Sequence, residues 1–298
     1  MTGSDEPLFI GRDIDVLEGQ SAADALGATN DSRFYESGKG VLRVDQARWS
    51  EAQHYERKTW LERGRTTADD RNRFHQQRFA GYSPLKGMKF GRAIELGCGP
   101  FTNLRLILEV AEASHVHLLD PLIADYVGHP LCRFRHSRLG GLFGFGTREA
   151  LRSWRYPLAQ LRESVNSLAV GGVRGRHVEL ENSTIEDFAT PHKFDLVVLI
   201  NVLEHCRDAE KVFAKVWEIL APGGIFVFHD KFFESSAIAE SLATLYDAGH
   251  PIRLDPVVSE AFLHRFVPLM RSDFWDCDVF RSRLLRRQAT YFIGQREA

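Results

Sequence analysis

Cysteine is scarce in this sequence of 298 residues, and the four cysteines it contains are widely separated. No two of them form a CxxC pair or stand at zinc-finger spacing, which excludes a zinc ribbon and a disulfide scaffold. We therefore expect free thiols in a reducing compartment, the cytoplasm. The cysteines are Cys98, Cys132, Cys206 and Cys277.

The sequence also lacks long apolar runs and an excess of either charge. No run approaches the roughly 20 apolar residues of a membrane helix, and the first residues are polar and acidic, unlike a secretory signal. The 38 Lys and Arg residues nearly balance the 40 Asp and Glu residues, so global charge gives no attraction to nucleic acid. We expect a globular protein without a membrane partner, and the balance of charge does not favour a nucleic-acid partner.

Short apolar runs alternate with helical segments from Gly91 onward. This alternation predicts a parallel sheet with crossover helices, in an α/β fold. The predicted strands cover residues 93–96, 115–119, 177–180, 194–200 and 224–228. Helices are predicted over 103–113 and 209–220. Residues 278–283 and 290–295 are predicted to pair as a C-terminal hairpin.

The segment before this domain has a different character. Residues 1–43 are rich in Gly, Ser and Asp and predict a poorly ordered N-terminal arm. Residues 44–90 predict a helical cover, and residues 91–298 predict the main domain. Trp49, Gln53, Glu56 and Trp60 recur at spacings of four, three and four, so they share one helix face. This face either covers a binding site or packs on the main core.

One connection is too long for a single crossover. More than fifty residues separate Asp120 from the predicted strand at 177, and they include the Gly-aromatic run LGGLFGFG at 139–146. An insertion at the carboxyl end of a parallel strand lies over the binding crevice of an open α/β sheet. We interpret residues of about 121–170 as a lid-like insertion, with packing of the aromatic loop onto the core as the alternative.

A glycine-rich turn, AIELGCGPFTN at 93–103, joins the first predicted strand to the first helix. Gly97 and Gly99 allow a tight turn and a close approach to a ligand. Asp120 ends the next strand, 23 residues after Gly97, where a ribose-binding acid belongs. Thr102 replaces the third glycine of a dinucleotide motif, and no phosphate-loop motif is present. The turn therefore favours a ligand without a pyrophosphate.

Four motifs in order resemble those of class I S-adenosylmethionine-dependent methyltransferases, over about residues 91–231. They are ELGCG at 95–99, HLLDPL around Asp120, FDLVVLINVLEH at 194–205 and LAPGG at 220–224. The first departs from many members by carrying Phe101 in place of a third glycine. The resemblance implies a Rossmann-like, open, twisted, mostly parallel sheet of seven strands with helices on both faces. An N-terminal cover and an insertion after the second strand would be added to it.

The resemblance also assigns cofactor contacts residue by residue. The glycine turn at Gly97, Cys98 and Gly99 would hold the methionine moiety of S-adenosyl-L-methionine, with Glu95 oriented near it. Asp120 would hold the ribose hydroxyls, and Pro121 would pack by the adenine.

The remaining assignments follow the third and fourth strands. Asn182 and Ser183 would meet the adenine amino group, although a shifted register would give this role to Glu186 and Asp187. Asn201 and Val202 would line the sulfonium side.

Methyl transfer from a sulfonium is an in-line displacement that mainly requires alignment and exclusion of water. A hydroxyl or amine acceptor can also need a base. Three histidines are candidates, namely His205, His229 and His250, and each has a structural alternative. The spacing of acidic residues shows no metal cluster, so no metal is expected.

The leading interpretation is therefore an enzyme of biosynthetic tailoring that methylates an O, N or C atom of a small-molecule metabolite. Methylation of RNA or protein remains an alternative within enzymes. A non-catalytic cofactor-binding scaffold remains an alternative outside them. A homodimer through the N-terminal helices or the insertion is compatible with the sequence.

Overall fold

The N-terminal segment contributes three short strands and packs onto the main domain. The computed structural model of the protein describes residues 16–18, 31–63, 72–127, 177–277 and 286–298. The strands are β1 (Val16–Glu18), β2 (Tyr35–Glu36) and β3 (Gly40–Val41). β3 pairs with β2 on one side and with Arg253–Leu254 on the other. Residues 31–43 thus form regular structure, which differs from the poorly ordered arm predicted over 1–43.

Two helices follow within the predicted cover. Helix α1 (Gln46–Lys58) begins at Asp45, whose carboxylate accepts a hydrogen bond from the backbone N–H of Arg48 at 2.9 Å. A π-helical turn (Thr59–Arg63) extends it, and α2 (Asn72–Arg78) comes next. Only Arg48 and Ala52 of α1 are buried, so this helix lies on the surface of the domain.

A seven-stranded sheet forms the centre of the domain, and its order is β11-β12-β8-β7-β4-β5-β6. The pairs from β8 to β6 are parallel, whereas β12 runs antiparallel to both of its neighbours. This confirms the predicted mostly parallel sheet. Its strands are β4 (Lys89–Leu96), β5 (Glu112–Leu119), β6 (His177–Glu181), β7 (Phe194–Ile200), β8 (Leu220–Phe233), β11 (Phe266–Cys277) and β12 (Arg286–Arg296); β9 (Leu245–Asp247) and β10 (Arg253–Leu254) lie outside it.

Five further helices accompany the strands, in the part of the chain that the structure describes. They are α3 (Leu104–Ile107), α4 (Ile123–Val127), α5 (Ala209–Ile219), α6 (Ser235–Thr244) and α7 (Pro256–Leu263). The prediction for α5 is confirmed to within one residue. The helix predicted over 103–113 is too long, because Glu112 already pairs with Lys89 at the start of β5. Strand pairing here overrides the helical pattern.

Both faces of the sheet are buried, as the unbroken apolar run of β7 predicts. Val197 and Leu199 belong to a hydrophobic cluster that includes residues of α5 and α7. Leu196 and Val198 point to the opposite cluster, which includes residues of α3. Alternate residues of one strand thus hold helices on both faces. Each fully buried Val or Leu side chain stabilises the fold by about 1.5–3 kcal/mol.

The C-terminal part departs from the sequence prediction in its pairing. Residues 290–295 lie in β12 as predicted, but β12 pairs with β11, which ends at Cys277. The proposed partner segment 278–283 lies outside the described residues, as does the predicted insertion from residue 128 to residue 170. Among the described residues, no helix has the length and apolarity needed to cross a membrane.

Candidate active site

A cleft opens at the carboxyl end of the parallel strands, with about 1310 Å³ of space including its solvent-open mouth. Its floor is the region where β4 lies between β5 and β7. The connection after β4 leads to β5 on one side and the connection after β7 leads to β8 on the other. Open α/β sheets bind ligands at such a switch point. The loops after these strands form one wall of the cleft, and α1 with the turn after it forms the other.

The glycine turn after β4 is held against two neighbouring strand ends. The backbone N–H groups of Gly97 and Cys98 donate to the carbonyl of Leu119 at 2.8 and 3.1 Å. Gly97 has a φ of 70°, and a Cβ there would come within 2.4 Å of Val202 Cγ1. Gly99 has a φ of 51°, but no atom lies within 4 Å of the place its Cβ would take. Of these two glycines, Gly99 is the one with open space beside it.

Glu95 lies beneath this turn and does not line the cleft. Its carboxylate accepts hydrogen bonds from the Thr102 hydroxyl, from the backbone N–H of Asn103 at 2.8 Å and from that of Leu104 at 3.1 Å. Burial raises the pKa of Glu95, and these hydrogen bonds oppose that rise. The structure thus gives Glu95 the task of holding the turn and the start of α3, in place of the predicted position near the cofactor.

Asp120 lies at the end of β5 and lines the cleft together with Pro121. One carboxylate oxygen accepts from the backbone N–H of Gly99 at 3.1 Å, and the other accepts from Leu122 at 2.8 Å. Burial raises the pKa of Asp120 to about 6, although both hydrogen bonds act to lower it. A buried carboxylate in this position can accept hydrogen bonds from a diol.

The loop after β6 reaches the cleft one or two residues later than predicted. Asn182 is exposed and Ser183 is half-buried, and neither lines the cleft. Thr184, Ile185 and Glu186 line it instead. The alternative register, which named Glu186 and Asp187, agrees better for Glu186, because Glu186 lines the cleft and Asp187 does not. A carboxylate oxygen of Glu186 also accepts from the backbone of the segment that leads into α5, at 2.8 and 3.1 Å.

Asn201 and Val202 follow β7 and line the cleft as predicted. Asn201 has a φ of 56°, a left-handed conformation that asparagine tolerates better than most residues. The carboxylate of Asp230 fixes the next residues by accepting from the N–H groups of Val202 at 3.2 Å and Leu203 at 2.7 Å. Burial raises the pKa of Asp230 to about 7. Asp230 was not predicted as a site residue, although a carboxylate at the end of an apolar strand run could have indicated one.

The four residues of the predicted helix face, Trp49, Gln53, Glu56 and Trp60, all line the cleft. The Trp60 ring lies edge-on to Phe101 of the glycine turn, with 5.7 Å between centroids. Its indole N–H donates to Glu56 Oε2 at 3.0 Å. This face therefore covers the cleft, which was one of two open interpretations. Further lining residues that the sequence interpretation missed are Tyr55, Thr59, Asn72 and His75.

Two of the three candidate histidines line the cleft and lie together. The rings of His205 and His250 are 4.6 Å apart between centroids. His250 Nδ1 lies 2.9 Å from both carboxylate oxygens of Asp247, and its Nε2 lies 3.6 Å from Glu204 Oε1. Burial alone would lower the pKa of His250, but Asp247 and Glu204 raise it to about 9. His250 is therefore a cation at neutral pH.

His229 is separated from this pair. It is completely buried in β8 and does not line the cleft. Its Nδ1 donates to the carbonyl of Thr290 at 3.0 Å, and its ring stacks on Tyr291 with 3.8 Å between centroids. Burial lowers the pKa of His229 to about 3, so the imidazole stays neutral. The structure thus places His229 in the core, which argues against it as the base.

Comparison with known proteins gives a family match within this domain. Residues 156–226, about a quarter of the chain, match the model of a methyltransferase domain family. The matched residues that the structure describes run from β6 through β7 and α5 into β8. No curated protein sequence matches the chain at a significant level.

Solved structures that match the chain include two N-methyltransferases. NodS from Bradyrhizobium japonicum WM9 in complex with S-adenosylhomocysteine is 15% identical, with a TM-score of 0.48, over 81% of this chain and 99% of that one. The 1,6-didemethyltoxoflavin-N1-methyltransferase of Burkholderia thailandensis is 12% identical, with a TM-score of 0.45, over 88% and 97%. The matched stretch, residues 156–226, contains two of the four motifs, those at 194–205 and 220–224.

Proposed function

We propose that this protein is a class I methyltransferase that transfers the methyl group of S-adenosylmethionine to a small-molecule acceptor, enclosed between the cover and the loop after β7. One observation carries the proposal: a single cleft contains both the glycine turn with Asp120 and the covering face with Trp49 and Trp60. A cover lined by aromatic side chains suits an acceptor that is enclosed on several sides. The acceptor atom, O, N or C, is left open in this proposal.

The cofactor half of the cleft fits S-adenosylmethionine by the chemistry of its residues. The open space at Gly99 admits a ligand close to the backbone. The carboxylate of Asp120 supplies the acceptor that ribose hydroxyls need. The bound cofactor supplies an activated methyl group. The protein must hold the acceptor in line with it, and Asn201 and Val202 are in place to form that boundary.

The two histidines in the cleft are suited to different roles in proton transfer. His250 already carries its proton at neutral pH and can donate a hydrogen bond to the acceptor, but it cannot accept a further proton. His205 is therefore the better base for a hydroxyl or ammonium acceptor. The carbonyl of Gly249, 3.1 Å from His205 Nδ1, fixes the ring so that a proton is held on that nitrogen. This leaves Nε2 to accept one.

Calorimetric titration tests the cofactor half directly. Wild-type protein is titrated with S-adenosylmethionine and S-adenosylhomocysteine, beside Asp120→Ala and, as a matched acid-to-alanine control, the exposed Glu240→Ala on α6. We expect binding that weakens at least tenfold in Asp120→Ala and is unchanged in Glu240→Ala. Equal affinities in all three proteins would remove Asp120 from the site.

The acceptor class is tested with cofactor that carries a labelled methyl group. Label is followed into low-molecular-weight extract, into RNA and into protein, in separate reactions. We expect transfer to the low-molecular-weight fraction, reduced at least tenfold by His205→Gln. Transfer to RNA or protein alone would replace the proposal with a macromolecular substrate. Cofactor binding without transfer to any fraction would favour the scaffold.

A further inference from the structure

Two histidines and one glutamate meet in the cleft. Glu56 comes from α1, His205 from the turn after β7, and His250 from the loop after β9. Each offers one ligand atom, and these three atoms all lie within 4.8 Å of one another. We propose that Glu56, His205 and His250 bind a divalent transition-metal ion. Sequence spacing could not predict this site, because its three members are separated by more than forty residues each.

Two of the three proposed ligands, His250 and Glu56, are oriented by a contact to the atom that does not face the ion. Asp247 lies 2.9 Å from His250 Nδ1, which leaves Nε2 for an ion. Glu56 Oε2 accepts from the indole of Trp60 at 3.0 Å, which leaves Oε1 as the second donor atom. A carboxylate behind a ligating histidine is the arrangement that fixes the ring and raises its basicity in metal sites.

The backbone also restrains the third ligand. The carbonyl of Gly249 lies 3.1 Å from Nδ1 of His205, and the Nε2 amide of Gln53 donates to the His205 carbonyl at 3.1 Å. Glu56 Oε1 lies 3.6 Å from His205 Nδ1. The ring is thus anchored on two sides, between the cover and the loop after β9. A pre-positioned imidazole loses little conformational entropy on binding an ion.

The charges that face the cluster are mostly negative. Glu204 lies 3.6 Å from His250 Nε2, and Asp247 and Glu56 complete three carboxylates around two imidazoles. The guanidinium of Arg287 offsets one of them at 3.3 Å from Glu204. Lys231 also lines the cleft.

The donor set favours a borderline ion such as Zn²⁺. Two imidazoles and a carboxylate are the ligands of catalytic zinc sites that keep a fourth position open. Bonds of about 2.0–2.2 Å place tetrahedral ligands about 3.4 Å apart. The widest separation between ligand atoms must therefore shorten by about 1.4 Å. Rotation of the Glu56 side chain can provide a movement of this size. If the proposed function holds, the open position would receive the methyl acceptor and orient it towards the cofactor, and the ion would replace His205 as the group that activates the acceptor.

Metal titration of the full chain, without cofactor or acceptor, tests the site independently of turnover. Metal-stripped protein is titrated with Zn²⁺ by calorimetry, and with Co²⁺ by its visible absorption. We expect one equivalent of Zn²⁺ per chain at micromolar affinity or better. We also expect a Co²⁺ spectrum of low coordination number that added Zn²⁺ abolishes. No stoichiometric binding of either ion would overturn the proposal.

Single substitutions then assign the ligands. Glu56→Gln, His205→Gln and His250→Gln should each weaken Zn²⁺ binding at least tenfold. His54→Gln changes an exposed histidine of the same helix α1 and should leave it unchanged. Asp247→Asn, a positioning variant, should weaken binding tenfold or more while the Co²⁺ spectrum remains. Binding that survives Glu56→Gln together with His250→Gln, or that is lost equally in His54→Gln, would show that the ion binds elsewhere. Far-UV circular dichroism checks that each variant is folded.

Discussion

Gly97 lies directly against Val202, so that a single Cβ on the glycine would come within 2.4 Å of the valine Cγ1. The contact joins the turn after β4 to the turn after β7, which are the two strand ends at the floor of the cleft. Neither turn can move away easily, because Leu119 accepts from Gly97 and Asp230 accepts from Val202. The cofactor half of the cleft is therefore built as one tightly packed unit.

Substitution of the two glycines by alanine should separate steric contact from backbone strain. Both residues have positive φ, which costs alanine about 1–2 kcal/mol. Only Gly97→Ala also collides with Val202, and overpacking adds about 1–3 kcal/mol. Thermal unfolding without cofactor should show the larger fall in stability for Gly97→Ala. Equal losses for Gly97→Ala and Gly99→Ala would contradict the packed contact.

Glu95→Gln should destabilise the protein without touching the cleft surface. The new amide group would face donors that now share a carboxylate, so at least one hydrogen bond is lost and one donor is left unsatisfied. The expected cost is about 2–3 kcal/mol. Thr102→Ala removes a single donor to the same carboxylate and should cost about 1 kcal/mol. Chemical denaturation measures both. A Glu95→Gln protein as stable as the wild type would show that the carboxylate does not hold the turn.

Much of the parallel sheet could be predicted from the sequence, because buried parallel strands appear as continuous apolar runs. The run at 194–200 coincides with β7, and Asp120 and Asn201 line the cleft from the strand ends where the motifs place them. The spacing of Trp49, Gln53, Glu56 and Trp60 also predicted one shared face correctly. These features depend on local periodicity, which a sequence displays directly.

The remaining features depend on contacts between distant segments. In the sequence, Glu95 looks like a ligand-binding acid. Only the fold shows that its carboxylate accepts hydrogen bonds from the backbone at the start of α3. His229 and His250 look alike in the sequence. Burial lowers the pKa of His229, whereas the carboxylates of Asp247 and Glu204 raise the pKa of His250. The helix predicted to residue 113 ends at Ile107, and residues 112 and 113 already pair with β4 as the start of β5.

Cofactor binding should weaken as the pH falls through about 6. The pKa of Asp120 is raised to that value by burial, so its carboxylate is ionised above pH 6 and protonated below it. An ionised carboxylate accepts hydrogen bonds from the ribose diol more strongly than a carboxylic acid does. We expect the dissociation constant for S-adenosylhomocysteine to rise several-fold between pH 7.5 and pH 5.5 in calorimetry. Asp120→Asn, which cannot titrate, should bind weakly with little change over this range.

Trp60→Ala should open the cover and accelerate loss of the cofactor. The Trp60 ring lies edge-on to Phe101 and fixes Glu56 through its indole N–H, so its removal frees both the glycine turn and the cover. An aromatic pair of this kind contributes about 0.5–1.5 kcal/mol beyond the area it buries, which corresponds to roughly a two- to tenfold change in affinity. Stopped-flow displacement of a fluorescent cofactor analogue measures the dissociation rate.

Two matched variants make that measurement specific. Trp60→Phe retains an aromatic ring against Phe101 and loses only the indole donor to Glu56, so its dissociation rate should fall between those of the wild type and Trp60→Ala. Lys58→Ala changes an exposed residue at the end of α1 and should match the wild type. If Trp60→Phe released the cofactor as fast as Trp60→Ala, the hydrogen bond to Glu56 would hold the cover, and the ring contact with Phe101 would not. An unchanged rate in Trp60→Ala would mean that the cover does not restrain the cofactor. The acceptor would then be the only ligand that the cover encloses.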